Sequence, residues 1–342
     1  MSGLPPPIGE ELRAELEKPA KKKGVGPLQR MIGLLLSVVL IWAVFRLGGG
    51  GDGPAFLLPD APAPRVASTS PAITETLLEL GLGAHVVGRS GYCRGLPADV
   101  PVIGDLRSFD AERLALAKPE VLFVQPPLAG VDPALREFCA RRSITLAEQR
   151  IDSLAEISQL LQRIEQVFAE VDGGGADGDA GGGSRLGEEA RARIREARAF
   201  LDGGDGLPVQ VAPGADGLPV PVDAARVLVV VSVDPVLAVG RGNYLHELLV
   251  RSGCDNAVEA EGWVELSAEA VVALRPTRIV AIGETPVGAL EVQGFLEVLP
   301  WAGAHPPIAA GALPEMLIPS LRMVAKRGEF ARLLRGEGAG VP

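Results

Sequence analysis

Aromatic residues make up only 4% of this 342-residue chain, and cysteine and histidine occur three times each. Basic residues are also in the minority, with 33 Lys and Arg against 43 Asp and Glu, a formal net charge of -10. A phosphate-binding chain needs clustered Lys and Arg to release counterions. The basic cluster here is Lys21 to Lys23, and nucleic acid is excluded as a partner. Cys93, Cys139 and Cys254 are scattered without a CxxC, which excludes a zinc ribbon and a dense disulfide framework. His85, His246 and His305 are equally dispersed, whereas a metal site draws on several close ligands, so they read as structural or solvated. No GxSxG elbow, P-loop or HExxH is present; "GLGAHVVG" lacks dinucleotide spacing and "GRSGYC" lacks the second elbow glycine. An enzyme is therefore not expected, nor is a resident cofactor.

One long apolar run is present. "MIGLLLSVVLIWAVF", residues 31 to 45, is uncharged, and Arg46, which can snorkel, and Leu47 extend it. At about 1.5 Å per residue, 31–47 spans roughly 25 Å as a helix, the short limit for a bilayer. A cleaved signal peptide is the rival reading. Against it stand the polar leader of 30 residues and the lack of a small-x-small cleavage site after Phe45. The reading taken is an uncleaved single-pass anchor. Lys21, Lys22, Lys23 and Arg30 precede the span and no Lys or Arg follows before Pro64, which puts residues 1–30 in the cytoplasm and the rest outside. The Gly- and Pro-rich 48–64 then acts as a flexible tether.

The 47% apolar content of the chain supports two cores, and from Arg65 onward strands alternate with helices. A first α/β lobe is expected over 65–152: the strand "RVAS", the helix "SPAITETLLELG", the loop "GRSGYCRGLPADVP", a helix opened by Asp110, the strand "EVLFVQ" and the helix "PALREFCARRS". A second lobe, 223–336, repeats the order from the strand "RVLVVVS", through a loop "VDPVLAVGRG" and the helix "NYLHELLVRSG", to the strand "TRIVAIG". Connecting helices occupy 153–222. In the first, Ser153 and Glu156 make a capping box, and Ile157, Leu160, Leu161, Ile164, Val167 and Phe168 form one apolar face. Residues 172–184 and 202–223 have too little apolar content to pack and read as disordered insertions.

The lobes share an echo: "FDAERLALAKP" (109–119) and "LSAEAVVALRP" (266–276). Glu112 follows the N-cap Asp110 by two positions, and Glu269 follows Ser267 by two. A carboxylate there stabilises its helix through the dipole and free N-H groups by about 0.3–1 kcal/mol. Duplication also places one exposed carboxylate on each lobe, suited to paired cations on a two-fold symmetric partner. Both roles can hold together.

Taken with "RVASTSPAITETLLELGLGAHVVGRSGYCRGLPADVPVIGD", "RVLVVVSVDPVLAVGRGNYLHELLVRSGCDNAV" and "GWVELSAEAVVALRPTRIVAIG", the echo blocks resemble the solute-binding proteins of ABC importers for cobalamin and iron-siderophores. The likeness runs from about Arg65 to Leu334, apart from the Gly-rich insertions. It implies a class III periplasmic binding protein: two Rossmann-like α/β lobes joined by a rigid long helix, with the ligand in the cleft between them. It also implies that Glu112 and Glu269 dock onto arginines of an ABC permease dimer, and that Tyr92 and Trp263, in loops facing the cleft, present rings to the ligand. The alternative is that each ring packs on its own lobe. Cys93 is either a weak ligand contact or a small buried filler. Gly240, Arg241 and Gly242 form a loop whose bare N-H groups either meet a ligand oxygen or close a plain turn, with Arg241 exposed in both cases.

The chain departs from that family in the loop before the first glutamate helix, where similar cobalamin binders often have another aromatic and this chain reads "GDLRSF", and in an apolar "ALPEMLIPSLRM" before the last helix. The expected function is a monomeric, extracytoplasmic receptor that captures a corrinoid or other metal chelate and delivers it to the permease. The alternatives are a membrane-tethered sensor and a receptor for an iron-siderophore or haem.

Overall fold

In a computed structural model, the structure describes residues 64–170, 186–203, 211–213, 219–221 and 224–337. The apolar run 31–47, the tether and the Gly-rich stretch 172–184 lie outside the described residues. Among the described residues, no helix is long and apolar enough to cross a membrane.

The first lobe is β1 (Val66–Ser68), α1 (Pro71–Glu79), β2 (Val86–Ser90), β3 (Val102–Gly104), α2 (Ala111–Ala117), β4 (Val121–Val124), α3 (Pro133–Arg141) and β5 (Thr145–Glu148). All strands are parallel in the order β3-β2-β1-β4-β5. Their carboxyl ends therefore share one edge. The order reverses between β1 and β4, where open α/β sheets receive ligands. The expected loop "GRSGYCRGLPADVP" is corrected at its start, because "GRS" closes strand β2 and β3 follows within the same stretch of the sheet.

The connector α4 (Leu154–Glu170) forms as its spacing predicts. Ser153 Oγ accepts from Glu156 N at 3.2 Å and Glu156 Oε2 accepts from Ser153 N at 3.1 Å, a reciprocal capping box. All six residues of the expected apolar face are buried. They belong to a single hydrophobic core that also holds Ile73 and Leu77 of the first lobe, Ile194 of the second connector α5 (Glu188–Leu201), and Leu245, Met323 and Phe330 of the second lobe. In the second insertion, β6 (Val211–Pro213) and β7 (Pro219–Pro221) pair antiparallel, a hairpin where lack of structure is expected from composition.

The second lobe is β8 (Arg226–Val233), β9 (Val236–Val239), α6 (Tyr244–Arg251), β10 (Asp255–Asn256), β11 (Trp263–Leu266), α7 (Ala268–Ala273), β12 (Arg278–Gly283), α8 (Pro286–Glu297), β13 (Ile308–Ala312) and α9 (Leu321–Arg335). Its order is β11-β9-β8-β12-β13, with β10 beside the start of β8. Here β9 folds back antiparallel on β8 and displaces β11 outward, the main departure from the first lobe. The expected loop "VDPVLAVGRG" is thus half strand. Since β11 runs antiparallel to β9, it is parallel to β8, and its end, Leu266, lies level with Val236 and hence with Val233 at the carboxyl edge.

Duplication reaches the backbone. Lys118 and Arg275, each immediately before the proline that closes an echo motif, both take a left-handed conformation, with φ of 47° and 46°. In both lobes the motif then feeds the strand beside the central one, β4 next to β1 and β12 next to β8.

Candidate functional site

The two echo helices begin as expected. Asp110 accepts from Arg113 N at 3.0 Å and Ser267 Oγ accepts from Ala270 N at 3.2 Å. Glu112 and Glu269 stand exposed in the first turns of α2 and α7, which start at the carboxyl edges of their sheets. The backbone N-H of Glu269 itself and the Ser267 hydroxyl hold the Glu269 carboxyl below the usual carboxylate range. It therefore stays charged in mild acid.

Tyr92 projects from the carboxyl end of β2 and is 73% exposed. Its loop is held from beneath. Tyr92 N donates to Ser90 Oγ at 3.2 Å, Arg89 donates to Val100 O at 3.1 Å and to Cys93 O at 3.3 Å, and the Cys93 sulfur lies 3.0 Å from Thr74 Oγ1 and 3.3 Å from Ser90 Oγ. Cys93 is buried. Its side chain faces these hydroxyls, packed beneath the Tyr92 loop.

Trp263 is 42% exposed. It is the first residue of strand β11 and not a loop residue, opposite Val239. Strand alternation puts Trp263 and Glu265 on the exposed face, while Val264 and Leu266 pack into the core of the second lobe.

The glycine loop does not offer bare amides at two of its three positions. Gly240 N donates to Gly262 O at 2.8 Å and Arg241 N to Ala260 O at 2.8 Å, and Gly262 N returns a bond to Arg241 O at 2.7 Å. Arg241 is half-buried rather than exposed. Gly242 is exposed, at φ 66°. A β-carbon on Gly240 would collide with the Ala260 and Gly262 carbonyl oxygens, both backbone atoms. Gly240→Ala is therefore expected to push β11 and Trp263 outward and to cost about 1–3 kcal/mol, read by chemical denaturation.

Sequence reasoning overlooked several side chains on the same edges. Leu128, 94% exposed, and Leu106 sit on the loops after β4 and β3, and Val287 and Leu290 are exposed in the first turns of α8 after β12. Their signal is a large apolar residue alone among turn residues, as in "GDLRSF" and "QPPLAG". Between the β1 and β4 ends, Ser70 Oγ donates to Gln125 Oε1 at 3.1 Å. The histidines are placed as expected, His85 and His246 buried and His305 exposed. Among the described residues, no group of three or more His, Cys, Asp or Glu could hold a metal ion.

Residues 66–174, the first lobe and its connector, match the periplasmic binding protein family. The whole fold superimposes on the periplasmic heme-binding protein BhuT in complex with two hemes, at 18% identity, covering 80% of this chain and 98% of that one, with a TM-score of 0.57. The described chain has the fold of the periplasmic binding proteins. Similar periplasmic binding proteins include the heme-binding RhuT of Roseiflexus sp. RS-1 in apo form (17% identity, 80% and 99% covered, TM-score 0.56). Another is the vitamin B12 binding protein BtuF of Vibrio cholerae (17%, 80% and 97%, TM-score 0.52). No curated protein matches the chain in sequence.

Proposed function

We propose that this protein is the extracytoplasmic receptor of an ABC importer, capturing a corrinoid or a related metal chelate between its lobes and presenting it to a permease dimer. One observation carries the reading: the carboxyl edge of each sheet bears exposed apolar or aromatic side chains and, at the start of a short helix, one exposed carboxylate. Tyr92, Leu106 and Leu128 supply the first lobe, and Val287 and Leu290 the second, with Trp263 on its exposed strand face. Such side chains gain most against a broad ligand with apolar faces. Glu112 and Glu269 are the docking pair for paired cations on the permease.

Charge narrows the ligand. On the loops leaving the carboxyl edges, Arg94 and Arg107 are outnumbered by Asp105, Asp132, Asp234, Glu284 and Glu315. A neutral or cationic chelate suits that field better than a polyanionic one. The test is a titration with cobalamin, cobinamide, ferric hydroxamates, haem and ferric catecholates, followed by Trp263 fluorescence. Saturable binding of a corrinoid is expected. Failure of every chelate to bind rejects the function.

A further inference from the structure

Strands β2 and β3 pair at two positions, and their register shifts between Arg89 and Ser90. So short a ladder closes the loop 91–101 only weakly, although most of that loop is exposed and it carries Tyr92. The half-buried Arg89 supplies a second closure. Its Nε donates to Val100 O at 3.1 Å, at the far end of the loop, and its Nη1 donates to Ser90 O at 3.4 Å and to Cys93 O at 3.3 Å, at the near end. Its backbone N-H donates to Pro101 O at 3.0 Å. One planar guanidinium therefore ties the two ends of the loop together, which its fork of fixed donors permits and a single ammonium does not.

We propose that Arg89 is a positioning residue for ligand recognition, holding the Tyr92 ring ready before any ligand arrives; the inference rests on the reading of Tyr92 as a ligand contact. Tyr92 is 73% exposed, so its ring is placed by its own backbone rather than by packing. That backbone is gripped on both sides of the ring. Tyr92 N donates to Ser90 Oγ at 3.2 Å, and the carbonyl of the next residue, Cys93, accepts from Arg89. The Cys93 sulfur, 3.0 Å from Thr74 Oγ1, ties the same stretch to α1. A ring on an ordered platform loses less freedom on binding than one on a loose loop, so Arg89 raises affinity without touching the ligand. The second lobe holds Trp263 differently, through main-chain bonds among Gly240, Arg241, Ala260 and Gly262. The brace on the first lobe is the one that a single side-chain change can release.

Two variants of the full chain test the brace. Arg89→Lys keeps the charge and loses the fork, and Arg89→Met loses both. Without ligand, hydrogen exchange across 91–101 is expected to quicken at least about fivefold in each, with exchange in β4 and β12 unchanged. Should β4 lose protection in Arg89→Met, Arg89→Lys carries the comparison. Affinity for cobinamide is expected to fall about fivefold where Tyr92 is retained, and less than about twofold where Tyr92→Ala is already present, because the brace acts through the ring. A loop that exchanges at the unmodified rate in both variants overturns the proposal. So does an unchanged affinity, or an affinity loss of the same size with and without Tyr92, which would make Arg89 a general support of the first lobe. Absence of cobinamide binding by the unmodified chain counts against the corrinoid reading instead, and the exchange comparison, which needs no ligand, still decides whether Arg89 orders the loop.

Discussion

Reversing both docking charges, Glu112→Arg with Glu269→Arg, is expected to reduce chelate uptake to background while leaving the affinity for the chelate unchanged. Both carboxylates are exposed, so neither contributes to a core whose loss would unfold a lobe. Placing a cation in the first turn costs each helix only about 0.3–1 kcal/mol through its dipole. The loss of transport is far larger. A receptor that presents two cations to a cationic permease surface meets repulsion at both contacts, and like charges placed together cost several kcal/mol. Each single reversal leaves one attractive contact and should give an intermediate rate. Uptake measured in vesicles carrying the permease, beside affinity measured in solution, separates the possibilities. Unaltered uptake rejects the docking role, and a matching loss of affinity would place the two residues in the ligand site instead.

The second large effect concerns the joint. Phe168→Ala, near the end of α4, is expected to cost about 3–5 kcal/mol, because Phe168 is fully buried and a cavity there has neighbours on every side. Its ring meets His85 edge-on at 4.9 Å, and that contact is lost as well. The core around α4 runs without interruption from Ile73 in the first lobe to Phe330 in the second. The destabilisation should therefore shift one unfolding transition common to the whole body. Denaturation followed by far-ultraviolet circular dichroism and by tryptophan fluorescence, whose described reporters Trp263 and Trp301 both lie in the second lobe, should give coincident curves. Two separated transitions would mean that the lobes are independent and that α4 is a tether rather than a strut.

The features that could be read from the chain are those with a strong local cause. The apolar stripe of α4, its Ser153 and Glu156 box, and the caps at Asp110 and Ser267 are set by residues within one or two turns of each other. The family likeness that rested on the echo motifs holds at the level of fold. What escaped was set by distant partners. Strands β2 and β3 are short and carry glycine, and Arg89 sits in β2, where its side chain staples the loop beyond. Strand β9 and Trp263 were hidden because a turn followed by a few apolar residues becomes a hairpin only when β8 and β11 are there to pair with it. Gly240 and Arg241 lost their expected freedom to backbone oxygens some 20 residues further on.

Ligand affinity compared across Tyr92→Ala, Trp263→Ala and the unmodified chain tests the central claim most directly, since the two rings belong to different lobes. If one chelate is held by both halves, binding is one to one and each substitution weakens it about tenfold, the loss of roughly 1–2 kcal/mol of ring contact. Affinity that responds to one ring and ignores the other, or to neither, would contradict it.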